Sequence, residues 1–275
     1  MSQQTKPSAI ALLVNENAMD DLRIFLFTIQ LWNTVLPKLY IYCTSTLPPL
    51  EYKGDIQIKT ALNIYSGLTR PQMEMMPSKQ GLTNLFHDFT IEKCSLMEWA
   101  IKEHGSGVLF CDADLCWLGP LPEIPTTTLA LSPHEIRPED EALYGTFNAG
   151  LLYIGRQEIV ETWLAESMVS NFFEQLSLNE VAKKYPYHKF SSNINYGWWR
   201  MFQAPVSPQE RQAEWSIHRN EMHSGLCVKG EPLLCIHTHW KTSDYITKTF
   251  NTWVVSKLNI LKKNKKVAAF LKFIN

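Results

Sequence analysis

The chain has 275 residues, 45% of them hydrophobic and 19% charged, and a formal net charge of −1. That length suffices for one large domain or two small ones, and the charge balance implies no global pull toward nucleic acid or an anionic membrane. Residues 1–7 carry no apolar core of a secretory signal, and no apolar stretch reaches the roughly 18–20 residues that span a bilayer.

The chain opens with an apolar run, Ala9–Val14, which predicts a strand leading into the polar loop Asn15-Glu16-Asn17. From Asp20 to Trp32 the spacing of Leu22, Phe25, Leu26, Ile29 and Trp32 predicts an amphipathic helix. Leu39–Cys43 and Ile56–Ile58 read as further strands, so the opening is β-α-β-β and points to an α/β sheet layered by helices. Residues 62–88, with Gly67, Pro71, Pro77 and Gly81, lack a period and read as a long loop region, often functional in compact domains. Phe89 to Glu103 predicts a helix ended by Gly105 and Gly107. The strand Val108–Cys111 follows, then Leu129–Leu131, a loop feeding a strand over 147–154, and a mostly helical stretch from Val160 to Ala182. Residues 185–225 read as irregular and aromatic-lined, and Leu233–Ile236 as a last strand. No repeat, low-complexity tract or linker divides the chain, so one domain over 1–275 is expected, with 245–275 as a basic helical extension. The six cysteines, Cys43, Cys94, Cys111, Cys116, Cys227 and Cys235, form no CxxC pair and read as free thiols in a reducing cytoplasm.

Asp112 and Asp114 stand at the end of the apolar run Val108–Cys111, with Leu115, Cys116, Trp117 and Leu118 behind them. Two embedded anions one residue apart are costly without a counter-cation, and oxygen ligands at a strand end suit a hard divalent ion. Alternate strand residues point to opposite faces, so both reach one ion only if the strand has already bent at its C-terminal end, or if one binds through water. His237 and His239 end another strand, and an imidazole completes an Asp/Asp/His set for a Mn²⁺-like ion. His237, which directly follows Leu233–Ile236, is the preferred ligand and His239 the alternate. Asn148 before Gly150 allows close approach to a sugar hydroxyl, and equally fits an ordinary turn. Gln175 and Asn179, one helical turn apart after Glu174, share a face that suits sugar hydroxyls or plain solvent. Lys93 is a candidate for a phosphate, and Asn15 for a nucleoside. Asn193, Asn195, Trp198, Trp199 and Trp215 suit carbohydrate stacking or a core, and His134 and Arg137 are weaker acceptor candidates. After Asp244 the chain carries seven lysines and no acid, which fits a docked terminal helix with a basic outer face or a peripheral membrane contact.

The phrase Val-Leu-Phe-Cys-Asp-Ala-Asp-Leu, preceded by a helix carrying Lys93, resembles the DxD region of GT-A glycosyltransferases, nearest to the nucleotide-diphospho-sugar transferases related to glycogenin and the bacterial galactosyltransferases. Phe147–Leu151 resembles that group's Asn-Ser/Ala-Gly motif, Glu174–Asn179 its Asp-Gln-x-x-x-Asn motif, and Ile236–His239 its late metal-binding histidine. The four occur in the family's order over roughly residues 8–245. The resemblance implies a single Rossmann-like GT-A mixed sheet flanked by helices, and a Mn²⁺- or Mg²⁺-dependent hexosyltransferase. Its metal would be held by Asp112, Asp114 and His237, with Asn148 and Gln175 around the donor sugar and Asn15 near the nucleoside; Gly150 and Asn179 are further donor-binding candidates. Asn148, Glu174 and Gln175 are its catalytic candidates. The donor would be a UDP- or GDP-sugar, the acceptor a glycan, lipid or protein, and the outcome retention. The sequence departs from the family pattern at Glu174, which replaces an Asp, and at Trp240-Lys241, where a Gly and Lys-Pro-Trp are usual, leaving Lys241 as the diphosphate lysine candidate. A nucleotidyltransferase of similar fold, a phosphatase of the Asp-x-Asp type and a non-catalytic carbohydrate-binding protein are the alternatives. The first lacks its Gly-rich loop after strand one, and the second its pair after the first strand.

Overall fold

The structure is a computed structural model that describes residues 4–45, 47–125 and 128–274; residues 1–3 and 275, the ends of the expected domain, lie outside it. Its centre is a seven-stranded mixed sheet in the order His188–Lys189, Leu129–Pro133, Phe147–Ile154, Val108–Cys111, Ala9–Val14, Lys38–Cys43 and Ile56–Thr60. Only Phe147–Ile154 runs antiparallel to its neighbours.

Away from its two edge strands the sheet is buried on both faces, which is why its inner parallel strands Ala9–Val14 and Val108–Cys111 read as unbroken apolar runs rather than alternating ones. Ile10, Leu12 and Val14 face one core with Leu39 and Ile41, under the helix Met19–Trp32. Ala9, Ala11 and Leu13 face the other with Tyr40 and Tyr42, under the helix Leu85–His104 and the helices Gln157–Met168 and Phe173–Lys184. The C-terminal helices Tyr245–Ile260 and Lys265–Ile274 pack Phe250, Val254, Val267 and Phe270 into the first core. Phe273 stacks on Phe27 at 4.1 Å between ring centroids, so the apolar face of the last helix lies against the sheet's helical layer while Lys262, Lys263, Lys265 and Lys272 face outward.

Several boundaries differ from the sequence expectation. The central helix starts at Leu85, not Phe89, because Asn84 caps it by accepting from His87 N–H at 2.9 Å; Gly105 ends it with φ 74°. The stretch 62–88 is not all loop, for Thr69 and Gln72 form a capping box that starts the helix Arg70–Met75. The helical region expected over 160–182 is two helices, broken where Phe173 takes φ 45°. Phe147–Ile154 is strand throughout, but not regularly paired: Leu131 lies opposite Leu152 while Ser132 lies opposite Asn148, so residues 149–151 bulge from that ladder.

Candidate active site

The chain turns immediately after Val108–Cys111. Asp112 N–H still donates to Gly150 O at 2.8 Å, and Leu115 N–H then donates to Asp112 O at 3.2 Å, closing a turn over 112–115. This bend is one of the two ways in which two neighbouring carboxylates can reach one ion. Leu115–Trp117 then pairs antiparallel with Cys235–His237, placing His237 opposite Leu115, and Thr238 N–H donates to Asp114 O at 3.0 Å. Thus His237 Nε2 comes within 3.0 Å of Asp114 Oδ1 and 3.9 Å of Asp112 Oδ2. The ligand atoms of Asp112, Asp114 and His237 all lie within 4.8 Å of one another, the cluster that the sequence singled out.

Gly150 borders this cluster. A Cβ there would overlap His237 Cε1 and lie 2.8 Å from Asp112 Oδ2 and 2.9 Å from Asn148 Oδ1. Two carboxylates and one imidazole nitrogen form a donor set suited to a Mn²⁺-like ion.

Lys93 is buried beneath Asp112. Its ammonium lies 3.1 Å from Asp112 Oδ1 and 2.8 Å from Glu174 Oε1. Burial alone would lower the Lys93 pKa, but the two carboxylates outweigh it and hold the ammonium charged. Burial raises the Asp112 pKa, and the Lys93 charge opposes that. Burial also pushes Asp114 upward, yet the charge and hydrogen bond of His237, with His239, carry it well below the usual carboxylate range.

His239 is not in the ligand cluster. Its Nδ1 lies 2.6 Å from Asp21 Oδ2, its Nε2 3.5 Å from Asp114 Oδ2, and its side chain is 62% exposed. The hydrogen bond to Asp21, then the Asp114 charge, raise its pKa to about 9. A histidine whose pKa rises on folding stabilises the fold fully below its ordinary value of 6.5 and loses that contribution as the pH climbs through about 9. The melting temperature of the native chain minus that of His239→Gln is therefore expected to shrink between pH 6.5 and 9. A difference that stays constant or grows across that window contradicts the pairing. Solvent exposure keeps the effect modest.

These groups line one cavity of about 510 Å³, together with Asn15, Asn148, Glu174, Gln175 and Lys93. Part of its wall is aromatic, with Phe86, Phe89, Phe172 and Phe173 forming a contiguous strip. Gln175 Oε1 accepts from Asn148 Nδ2 at 3.1 Å and from Ala149 N–H at 3.3 Å. Asn179 lies elsewhere: its Oδ1 accepts from Thr146 N–H at 3.1 Å, so it holds the loop ahead of the antiparallel strand. Lys241 is exposed and reaches Asp20 Oδ1 at 3.4 Å, outside the cavity lining. Trp198 and Trp199 line the cavity, and Trp199 packs edge-on to His237 at 4.9 Å. His134 is buried with its Nδ1 3.1 Å from Gly145 O, and Arg137 pairs with Asp140 at the surface. Asp21 went unremarked in the sequence; its only signal is an acid in the first turn of the helix after strand one.

No family model matches the chain, and no curated protein matches it. Solved structures do. The galactosyltransferase LgtC, in complex with donor and acceptor sugar analogues, is 14% identical with a TM-score of 0.54, over 90% of this chain and 95% of that one. The apo glycosyltransferase GlyE of Streptococcus pneumoniae TIGR4 is 16% identical with a TM-score of 0.54, over 94% of this chain and 63% of the GlyE chain. The mixed sheet, the turn that carries Asp112 and Asp114 and these likenesses agree: the chain has the GT-A glycosyltransferase fold.

Proposed function

We propose that this protein is a divalent-metal-dependent glycosyltransferase, moving a hexose from a nucleotide-diphosphate donor to a glycan, lipid or protein acceptor with retention. The observation that carries this reading is the convergence of Asp112, Asp114 and His237 on the lining of a cavity in a GT-A fold. LgtC was seen with donor and acceptor sugar analogues, and a UDP- or GDP-sugar is the donor class that follows from the likeness.

In this reading Asp112, Asp114 and His237 hold Mn²⁺ or Mg²⁺. Such an ion, when bound, offsets the negative charge that grows on the departing nucleoside diphosphate. The chain's own groups do the rest by position and charge. Asn15, directly after the strand Ala9–Val14, borders the nucleoside. Lys93 is already shared by Asp112 and Glu174, so it holds the site's carboxylates rather than a phosphate. Exposed His239, on the cavity lining, takes the phosphate-facing place that the sequence suggested for Lys241. Asn148 and Glu174 border the donor sugar. Gln175 has both lone pairs of its oxygen engaged by Asn148 and Ala149, which favours a positioning role over attack on the sugar.

The chain reads as one domain. Its six buried, unpaired thiols fit a reducing cytoplasm. Among the described residues no helix is long and apolar enough to cross a membrane, and the outward lysines of the last helix are the part suited to an anionic lipid surface.

The test is release of nucleoside diphosphate from a panel of UDP- and GDP-sugars with Mn²⁺. Release is expected with at least one donor, and Asp114→Ala should reduce it by roughly 100-fold or more. His237→Ala should weaken Mn²⁺-dependent donor binding more than His239→Ala. Release by no donor, or release indifferent to Asp114→Ala, sinks the reading; the reverse order of the two histidines sinks the ligand assignment.

A further inference from the structure

Behind the carboxylate and imidazole cluster runs an unbroken line of amide side chains whose orientation the main chain dictates. At its far end Gln175 Nε2 donates to the carbonyl of Tyr144 at 2.7 Å. A carbonyl only accepts, so the Gln175 nitrogen must lie there and its oxygen must face the strand. That oxygen accepts from Ala149 N–H, which confirms the orientation, and from Asn148 Nδ2. Asn148 is thereby turned with its oxygen inward, where it accepts from Gly150 N–H at 3.0 Å and from Asn195 Nδ2 at 2.9 Å. Asn195 Nδ2 also donates to Ser132 Oγ at 3.0 Å. With its nitrogen so engaged, Asn195 presents its oxygen to His237 Nδ1 at 2.9 Å.

An amide oxygen has no proton to give, so His237 Nδ1 must carry one. Nε2, 3.0 Å from Asp114 Oδ1, shares a proton with that carboxylate; a divalent cation that displaces this proton meets a neutral ring whose lone pair lies on Nε2, facing Asp112 and Asp114. We propose that Asn195 is a positioning residue that fixes His237 in the Nδ1–H tautomer and so presents Nε2 as a ligand for a divalent cation. Asn195 is fully buried and its neighbours Tyr196–Gly197 pair directly with Cys235–His237, so the amide and the ring are held by one small sheet. Outer partners of this kind set the orientation and basicity of a metal-bound imidazole. The inference rests on the proposed cation role of the cluster.

The experiment uses the full chain and Mn²⁺ alone, titrated at one pH and read by the electron paramagnetic resonance signal of the free ion. A second readout is the ¹⁵N spectrum of the histidine rings with Mg²⁺, His237 being assigned by its disappearance in His237→Gln. Asn195→Leu, which keeps the volume and removes the acceptor, should weaken Mn²⁺ binding about 10- to 100-fold and move the His237 ring away from the pure Nδ1–H form. Unchanged affinity with an unchanged ring spectrum overturns the proposal. Should Asn195→Leu fail to fold, Asn195→Asp carries the test, because it keeps the acceptor toward Nδ1. It should retain the Nδ1–H ring, and loss of that form overturns the proposal. A native chain that binds no Mn²⁺ defeats the metal reading itself, whereas a native chain that binds it as tightly as Asn195→Leu does defeats only the role of Asn195.

Discussion

Lys93→Met is expected to destabilise the protein by about 3–5 kcal/mol, because it leaves the charges on buried Glu174 and partly buried Asp112 without their cation. The Lys93 side chain is only 9% exposed and that of Glu174 5%, so water cannot take over the ammonium's 2.8 Å contact with Glu174, while the 3.1 Å contact is to the less enclosed Asp112. Methionine fills most of the volume, so the loss is electrostatic rather than a cavity. At about 2–4 °C per kcal/mol for a chain near this size, the melting temperature should fall by roughly 10 °C. Adding Glu174→Gln to Lys93→Met removes one of the stranded charges and should restore part of the loss. Urea unfolding of the two variants and the native chain measures both effects. A Lys93→Met protein within about 1 kcal/mol of native would show that water reaches the pair after all.

Gly150→Ala should leave the fold in place and disable the site. Gly150 does not have a positive φ, so alanine suits its backbone. The obstacle is space: the added methyl would overlap His237 Cε1 and crowd Asp112 Oδ2 and the Asn148 oxygen. Overpacking of this sort costs about 1–3 kcal/mol. The displaced imidazole and carboxylate should weaken Mn²⁺ binding by about 100-fold, since ligand geometry tolerates little displacement. A Mn²⁺ titration paired with a melting curve separates the two losses. Native affinity in a folded Gly150→Ala protein would rule out the close approach.

The parts that follow from local pattern were open to sequence reasoning. Ala9–Val14 and Val108–Cys111 are strands where their apolar runs place them, and Leu22, Phe25, Leu26, Ile29 and Trp32 are the buried stripe of one helix. The Asp112/Asp114 pair was visible because apolar residues flank it, and His237 because it ends a strand. What stayed hidden depends on long-range pairing. Nothing near Lys93 announces Glu174, 81 positions away, and Asn195 is one amide in an aromatic stretch until the small sheet brings it to His237. Asn179 shares a helix face with Gln175 but meets the backbone of Thr146, because neighbouring chain claims that turn of the helix. The break before Phe173 was unreadable because a bulky aromatic at positive φ runs against local preference.

The bulge in Phe147–Ile154 bears on how this site tolerates change. Because Leu131 meets Leu152 and Ser132 meets Asn148, three residues on one strand are absorbed between adjacent positions of its neighbour. That surplus lets Gly150 O reach Asp112 N–H while Asn148, two positions earlier, still reaches Gln175 and Asn195. Strand length is thus a functional quantity here. Excising Ala149 would change no charge and remove only a methyl side chain, yet it would invert which face each preceding residue presents, withdrawing Asn148 from its partners. Between positions 147 and 152 the spacing of the chain is under the same constraint as its side chains.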